Sequence, residues 1–120
     1  MKKILIVDDE PNIVMTLEYT FKKSNYEVFI ARDGQEALDI LKSNFPDVII
    51  LDIMMPMVDG FATLEQIRKD DNLQHTKVMF LSAKNKESDI EKGLALGADA
   101  YMTKPFSIKK VVEKVEKLLL

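Results

Sequence analysis

Hydrophobic and polar positions follow two periods in turn along the chain. Residues 3–7 form a short apolar run after a single lysine, the pattern of a strand buried on both faces. Within residues 12–24, Ile13, Leu17 and Phe21 recur at every fourth position, which is helical spacing. Residues 27–31 read as a second strand. Asp33 and Glu36 then stand three apart, a capping arrangement, and Ala37, Leu38 and Leu41 give the helix its apolar face, with Pro46 marking its end. Residues 48–51 are a third strand. Residues 54–60 form a loop with Pro56 and Asp59-Gly60 as turn residues. A short helix over 61–69 and a fourth strand over 78–81 follow. Ile90 and Leu94 mark a further helix, which Gly97 terminates in the left-handed conformation. Residues 100–103 are a fifth strand. Ser107 caps a last helix whose Ile108, Val111, Val112, Val115 and Leu119 make one stripe.

Strand then helix, repeated, implies right-handed crossovers and a parallel sheet covered by helices on both faces. The expected architecture is a single doubly wound α/β domain over residues 1–120, with no linker, repeat or low-complexity tract. The length of 120 residues agrees, since a domain takes roughly 100–200. Seventeen basic against twenty acidic residues give a formal charge of −3, which argues against nucleic-acid binding driven by charge. The chain has no cysteine, so disulfides, thiolate metal sites and cysteine nucleophiles are excluded. No apolar run approaches the ~18 residues needed to span a bilayer. The apolar start is too short for a secretory signal and is followed at once by acids, so a cytoplasmic protein is expected.

In open parallel sheets, ligands bind beyond the carboxyl ends of the strands. Asp8, Asp9 and Glu10 follow the first strand, Asp52 the third, Ser82 the fourth, and Lys104-Pro105 the fifth. Each has a plain structural alternative. Asp9 or Glu10 suits the start of a helix, with Pro11 in its first turn. Ser82 reads equally as a turn hydroxyl and Lys104 as a solvated surface lysine. Their combination demands more. If the first and third strands are neighbours, Asp8, Asp9 and Asp52 crowd one pocket, and carboxylates that close repel unless a cation sits among them. Capping needs one acid, not three. Few ligands, all oxygen, suit Mg²⁺, and Mn²⁺ is possible. His75, the one histidine, lies in a polar loop, which disfavours zinc and copper. A carboxylate beside such a metal and a lysine is a plausible phosphoryl acceptor. Asp52, alone at its strand end, is the best candidate, with Asp8 and Asp9 as metal ligands. Lys104 would supply a point charge and Ser82 a hydroxyl for phosphoryl oxygen.

Four segments, residues 3–10 (ending Asp8-Asp9-Glu10), 51–60 (with Asp52, Pro56 and Asp59-Gly60), 81–84 (Leu81-Ser82-Ala83-Lys84) and 103–106 (Thr103-Lys104-Pro105-Phe106), resemble the receiver domain of two-component response regulators. The match covers essentially the whole chain in order and spacing. The resemblance implies a five-stranded sheet of order 2-1-3-4-5, the flavodoxin-like order for which the chemotaxis receiver is a known example. It implies that Asp52 takes a phosphoryl group from a phosphohistidine of a sensor histidine kinase or phosphotransfer protein. Asp9, Asp52 and the backbone carbonyl of Met54 would hold Mg²⁺, with Asp8 assisting through water. Lys104 would pair with the phosphoryl group, aimed by a cis Lys104–Pro105 bond. Ser82 would move to bind the group, and Tyr101 would turn inward with it, although a half-buried core tyrosine fits Tyr101 equally. Met54 and Lys84 would border the site and tune the acyl-phosphate lifetime. The last helices and fifth strand would form the output face for a downstream protein.

One departure stands out. Receivers of the winged-helix group often carry two acids after the Gly-Ala pair, whereas here Asp99 is followed by Ala100. Lys109-Lys110 stand where that group commonly has an acid, so a monomer or weak dimer is expected in place of its symmetric dimer. Three rival readings remain. A flavodoxin needs hydroxyls and glycines after the first strand, where Asp8-Asp9-Glu10-Pro11 would repel a flavin phosphate. A haloacid-dehalogenase-type phosphatase needs a second aspartate two residues after its nucleophile, a place Met54 occupies. A degenerate, unphosphorylated receiver would lack some of the acids, the hydroxyl or the lysine. The expected protein is a phosphorylation-controlled switch that catalyses its own modification and turns over no separate substrate.

Overall fold

The computed structural model describes all 120 residues. Five strands, β1 (Lys3–Val7), β2 (Glu27–Ala31), β3 (Val48–Leu51), β4 (Lys77–Ser82) and β5 (Ala100–Thr103), alternate with five helices. The helices are α1 (Pro11–Lys23), α2 (Gly34–Ile40), α3 (Gly60–Lys69), α4 (Glu87–Ala95) and α5 (Ile108–Leu118). The sheet is parallel throughout, in the order β2-β1-β3-β4-β5.

The central strands are apolar on both sides because both sides are covered. Leu5, Val7, Ile49, Leu51, Val78 and Phe80 pack on one face with Ala37 and Leu41 of the α2 region and Leu64 and Ile67 of α3. Ile4, Ile6, Val48, Ile50, Met79 and Leu81 pack on the other with Leu17 and Phe21 of α1 and Val111 and Val115 of α5. Each fully buried Leu, Ile or Phe side chain contributes about 1.5–3 kcal/mol, so these two layers fix the register of the sheet.

That register places the chemistry. Val7 is level with Leu51, so Asp8 and Asp52 leave the sheet side by side. Leu51 is level with Phe80, and Ser82 with Thr103, which brings Ser82 and Lys104 to the same end.

Several expected signals sit where the sequence puts them. Asp33 accepts from the amide of Glu36, and Ser107 from that of Lys110, as helix caps. Gly97 follows α4 with φ +110°, a conformation few other residues adopt.

Other boundaries differ. Helix α2 stops at Ile40, well short of Pro46. Residues 41–43 continue as turns, with the amides of Lys42 and Ser43 donating to the carbonyls three residues back, Asp39 and Ile40, so the helix tightens and ends before proline is reached. Helix α1 begins at Pro11, whose missing N–H is not needed there. Strand β4 runs through Ser82, which is therefore a strand residue and fully buried. A 3-10 turn at Asp71–Leu73, capped by Asp70, was not foreshadowed by any apolar period.

Candidate functional site

The carboxyl ends of β1, β3, β4 and β5 meet at one charged pocket. Asp8 and Asp52 are 3% and 4% exposed, an unusual depth for acids. Each has one oxygen tied to backbone and one aimed inward. Asp8 Oδ1 accepts from the amide of Glu10 at 2.9 Å, and Asp52 Oδ1 accepts from the amide of Ile53 at 2.7 Å. Both remaining Oδ2 atoms face Lys104 Nζ, at 3.0 Å from Asp8 and 3.4 Å from Asp52. The bonds are local, so they fix the carboxylates without filling the pocket between them.

Lys104 leaves β5 through a cis peptide bond to Pro105. Its side chain is only 10% exposed, and its nearest acid is Glu10 at 2.8 Å. Burial works to lower the lysine's pKa, but the bonds to Glu10 and Asp8 and the charges of Asp52 and Asp8 outweigh it, and the ammonium is held well above the ordinary lysine range. Burial pushes the Asp8 carboxyl up, against the lowering effect of the Glu10 amide and Lys104.

Asp8, Glu10 and Asp52 offer carboxylate oxygens within 4.8 Å of one another. Three carboxylates around one ammonium leave two negative charges unmatched. An all-oxygen donor set with that surplus fits a hard divalent cation.

Asp9 stands apart from this trio. It is exposed and lines a neighbouring hollow with Pro11, Val14, Met15 and Arg32. Neither Asp9 nor Glu10 caps α1 through its side chain. Glu10 occupies the N-cap without such a bond, and its carboxylate is spent on Lys104. Nothing in residue order foretold this, because the pairing spans 94 positions.

Ser82 is fully buried at the end of β4, and its Oγ accepts from the amide of Lys84 at 3.3 Å. The hydroxyl of half-buried Tyr101 donates to the carbonyl of the same Lys84 at 2.7 Å. Its ring packs on Phe80 at 5.7 Å between centroids. Gly93 of α4 makes room for that pair, since a Cβ there would meet Phe80 at 3.0 Å and Tyr101 at 3.2 Å. Burial, then the charges of Asp89 and Asp52, raise the Tyr101 pKa. Met54 is 56% exposed at the rim, and its amide lies 3.4 Å from Asp52 Oδ1. Gly60, unrecognised as more than a turn residue, opens α3 directly against the backbone of Asp52 and Ile53, where any Cβ would collide.

Known proteins resemble this chain in sequence and in fold. The chain is 45% identical over 118 residues to the alkaline phosphatase synthesis transcriptional regulatory protein PhoP of Bacillus subtilis. That alignment covers 98% of this chain and 48% of the relative, so the chain spans about half the relative's length. Among solved structures, the receiver domain of the Francisella response regulator 1452 superposes with a TM-score of 0.91 at 36% identity, covering 99% of this chain and 97% of that one. Chemotaxis protein CheY4 of Vibrio cholerae superposes with a TM-score of 0.93 at 31% identity, covering 99% of each. Residues 4–116 match the response regulator receiver domain as a family. The chain belongs to that family: it is a receiver domain of a two-component response regulator.

Proposed function

We propose that Asp52 is the phosphoacceptor of a phosphorylation-controlled switch and that Mg²⁺, or Mn²⁺ in its place, is required for its modification. The observation that carries this reading is the pair of inward Oδ2 atoms of Asp8 and Asp52, sharing one buried ammonium with negative charge to spare. In the transfer, an Asp52 oxygen forms a bond to phosphorus while the phosphorus–nitrogen bond of a phosphohistidine breaks. The imidazole leaves with the bonding pair and takes up a proton. A bound divalent cation supplies charge neutralisation at the phosphoryl oxygens.

The chain's own residues do the rest. Asp8 and Asp52 are held ready by backbone amides. Asp9, which stands apart from the carboxylate trio, and the Met54 carbonyl would add oxygen ligands to a bound metal. Lys104 offers a desolvated point charge. Ser82 offers a hydroxyl to the acyl phosphate, and Tyr101 follows through the Lys84 carbonyl. Phosphorylation then biases two arrangements of the β4–α4 region by a differential affinity for one of them.

The partners we propose are a sensor histidine kinase or phosphotransfer protein, and a downstream protein or output domain on the α4–β5–α5 face. The PhoP relative is a transcriptional regulator, and an output of that kind fits the same face. No helix is long and apolar enough to cross a membrane. A cytoplasmic location and a monomer or weak dimer complete the reading. The domain turns over no substrate other than itself.

The test is incubation with acetyl phosphate, with and without Mg²⁺, followed by mass spectrometry. Wild type should gain one phosphoryl mass only with the metal, and Asp52→Asn should gain none. Metal-independent labelling, or full labelling of the variant, overturns the reading.

A further inference from the structure

Glu10 is the one member of the carboxylate trio to which the proposed chemistry assigns neither phosphoryl group nor metal, although its oxygen lies within 4.8 Å of theirs. It is 56% exposed, makes no capping bond to α1, and still reaches Lys104 at 2.8 Å, nearer than Asp8 at 3.0 Å or Asp52 at 3.4 Å. An ammonium has three N–H donors, and here three carboxylates surround it. A phosphoryl group brings three further strong acceptors and roughly two negative charges. Lys104 must release a partner to meet it.

The three partners differ in what release costs. Asp52 is itself joined to the incoming group, so its pairing with Lys104 passes to the phosphoryl oxygens, while Asp8 is buried and fixed by the Glu10 amide, so leaving it without a cation strands a charge in a poorly solvated place. The Glu10 carboxylate stands at the surface and is solvated as soon as it lets go. It is the partner that yields.

We propose that Glu10 is a positioning residue that draws Lys104 away from Asp52 in the resting protein, a competitor that the incoming phosphoryl group has to displace. The inference rests on the reading of Asp52 as phosphoacceptor. It assigns Glu10 no contact with phosphoryl group or metal; its influence passes through Lys104 alone. Because Glu10 caps nothing, Glu10→Gln keeps the shape of the side chain and leaves the fold intact while removing the pull.

The experiment titrates a phosphoryl mimic, beryllium trifluoride, at saturating Mg²⁺ into wild type, Glu10→Gln, Lys104→Met and the double variant. Glu10→Gln should bind the mimic about threefold to tenfold more tightly, the range of a part-exposed ion pair. The same change in the Lys104→Met background should do nothing. Mg²⁺ affinity, measured without the mimic, should stay within about twofold of wild type, since a ligand's loss costs more. Equal tightening in both backgrounds would mean direct repulsion between Glu10 and the anion, and overturns the proposal. So does a fall in Mg²⁺ affinity with Glu10→Gln, which would make Glu10 a metal ligand. Urea denaturation of the four metal-free proteins gives a second reading, expected to show a threefold to tenfold Glu10–Lys104 coupling in the folding equilibrium; additivity there also overturns it. Wild type that binds no mimic fails the acceptor reading itself, whereas wild type that binds it no less tightly than Glu10→Gln fails only the role of Glu10.

Discussion

At the end of the sheet where strands begin, Asp47 accepts from the amide of Lys3 at 2.8 Å, and Asp99 accepts from the amide of Val78 at 2.9 Å. Arg68 reaches from α3 to bind Asp99 at 3.0 Å, the Thr76 carbonyl at 2.9 Å and the Gly97 carbonyl at 3.0 Å. At the opposite end, three carboxylates share one lysine. The same residue type therefore has two meanings. Where each acid has its own donors, it ties strand starts to loops. Where acids outnumber donors, the surplus carboxylate oxygens could hold a metal ion. Count of partners, more than burial or residue identity, separates the two groups of acids in this domain.

The largest effect that would sharpen this contrast is at the strand starts. Arg68→Ala removes three hydrogen bonds and leaves Asp99 without its cation, and should destabilise the domain by about 2–3 kcal/mol, near 1 kcal/mol for each bond. Urea denaturation measures it, and a loss below 0.5 kcal/mol, the scale of an ordinary surface change, would break the contrast.

A smaller effect of opposite sign is expected at the other end. Asp8 has its carboxyl pushed up by burial, so the folded state prefers it protonated. Its ionisation therefore lowers stability as pH rises above the ordinary value of 3.8. Asp8→Asn should raise the stability of the metal-free protein at neutral pH, because it removes a buried charge that the fold disfavours. The gain should fade as pH falls towards 4 and shrink when Mg²⁺ is added. A metal-free variant less stable than wild type at neutral pH would show that the acids at this end are as well matched as those at the other.

The smallest effect on folding should come from the rim. Met54→Ala and Lys84→Ala alter side chains that border the site without filling the core. Stability should stay within about 0.5 kcal/mol of wild type, while the acyl-phosphate lifetime, followed by loss of the phosphoryl mass, should change severalfold. Unchanged decay in both variants would remove Met54 and Lys84 from the set of tuning residues.

Much of the framework was legible because it is repetitive or local. The run at residues 4–7, the spacing of Ile13, Leu17 and Phe21, and the stripe on α5 each reflect one face of one element. Asp33, Gly97 and Ser107 act within their own turn. The acids and Lys104 were legible as strand-end residues, since the βα order alone brings strand ends together. What escaped was direction. Glu10 looked like a helix-cap residue because a cap is local, whereas its ion pair crosses the fold through a flexible side chain. The end of α2 escaped because the change from i→i+4 to i→i+3 bonding at Lys42 and Ser43 leaves no periodic trace in the apolar positions. The close seat of Gly60 on Asp52 escaped because proximity between α3 and β3 is a property of packing, not of sequence spacing.

Lys84 holds Ser82 by its amide and Tyr101 by its carbonyl. A single residue thus joins the innermost hydroxyl of the pocket to an aromatic side chain at the outer edge strand of the sheet. The lever arm is one amino acid long, with almost no slack in which motion could be lost. A protein docked on that edge would sense the loop's position without touching an acid.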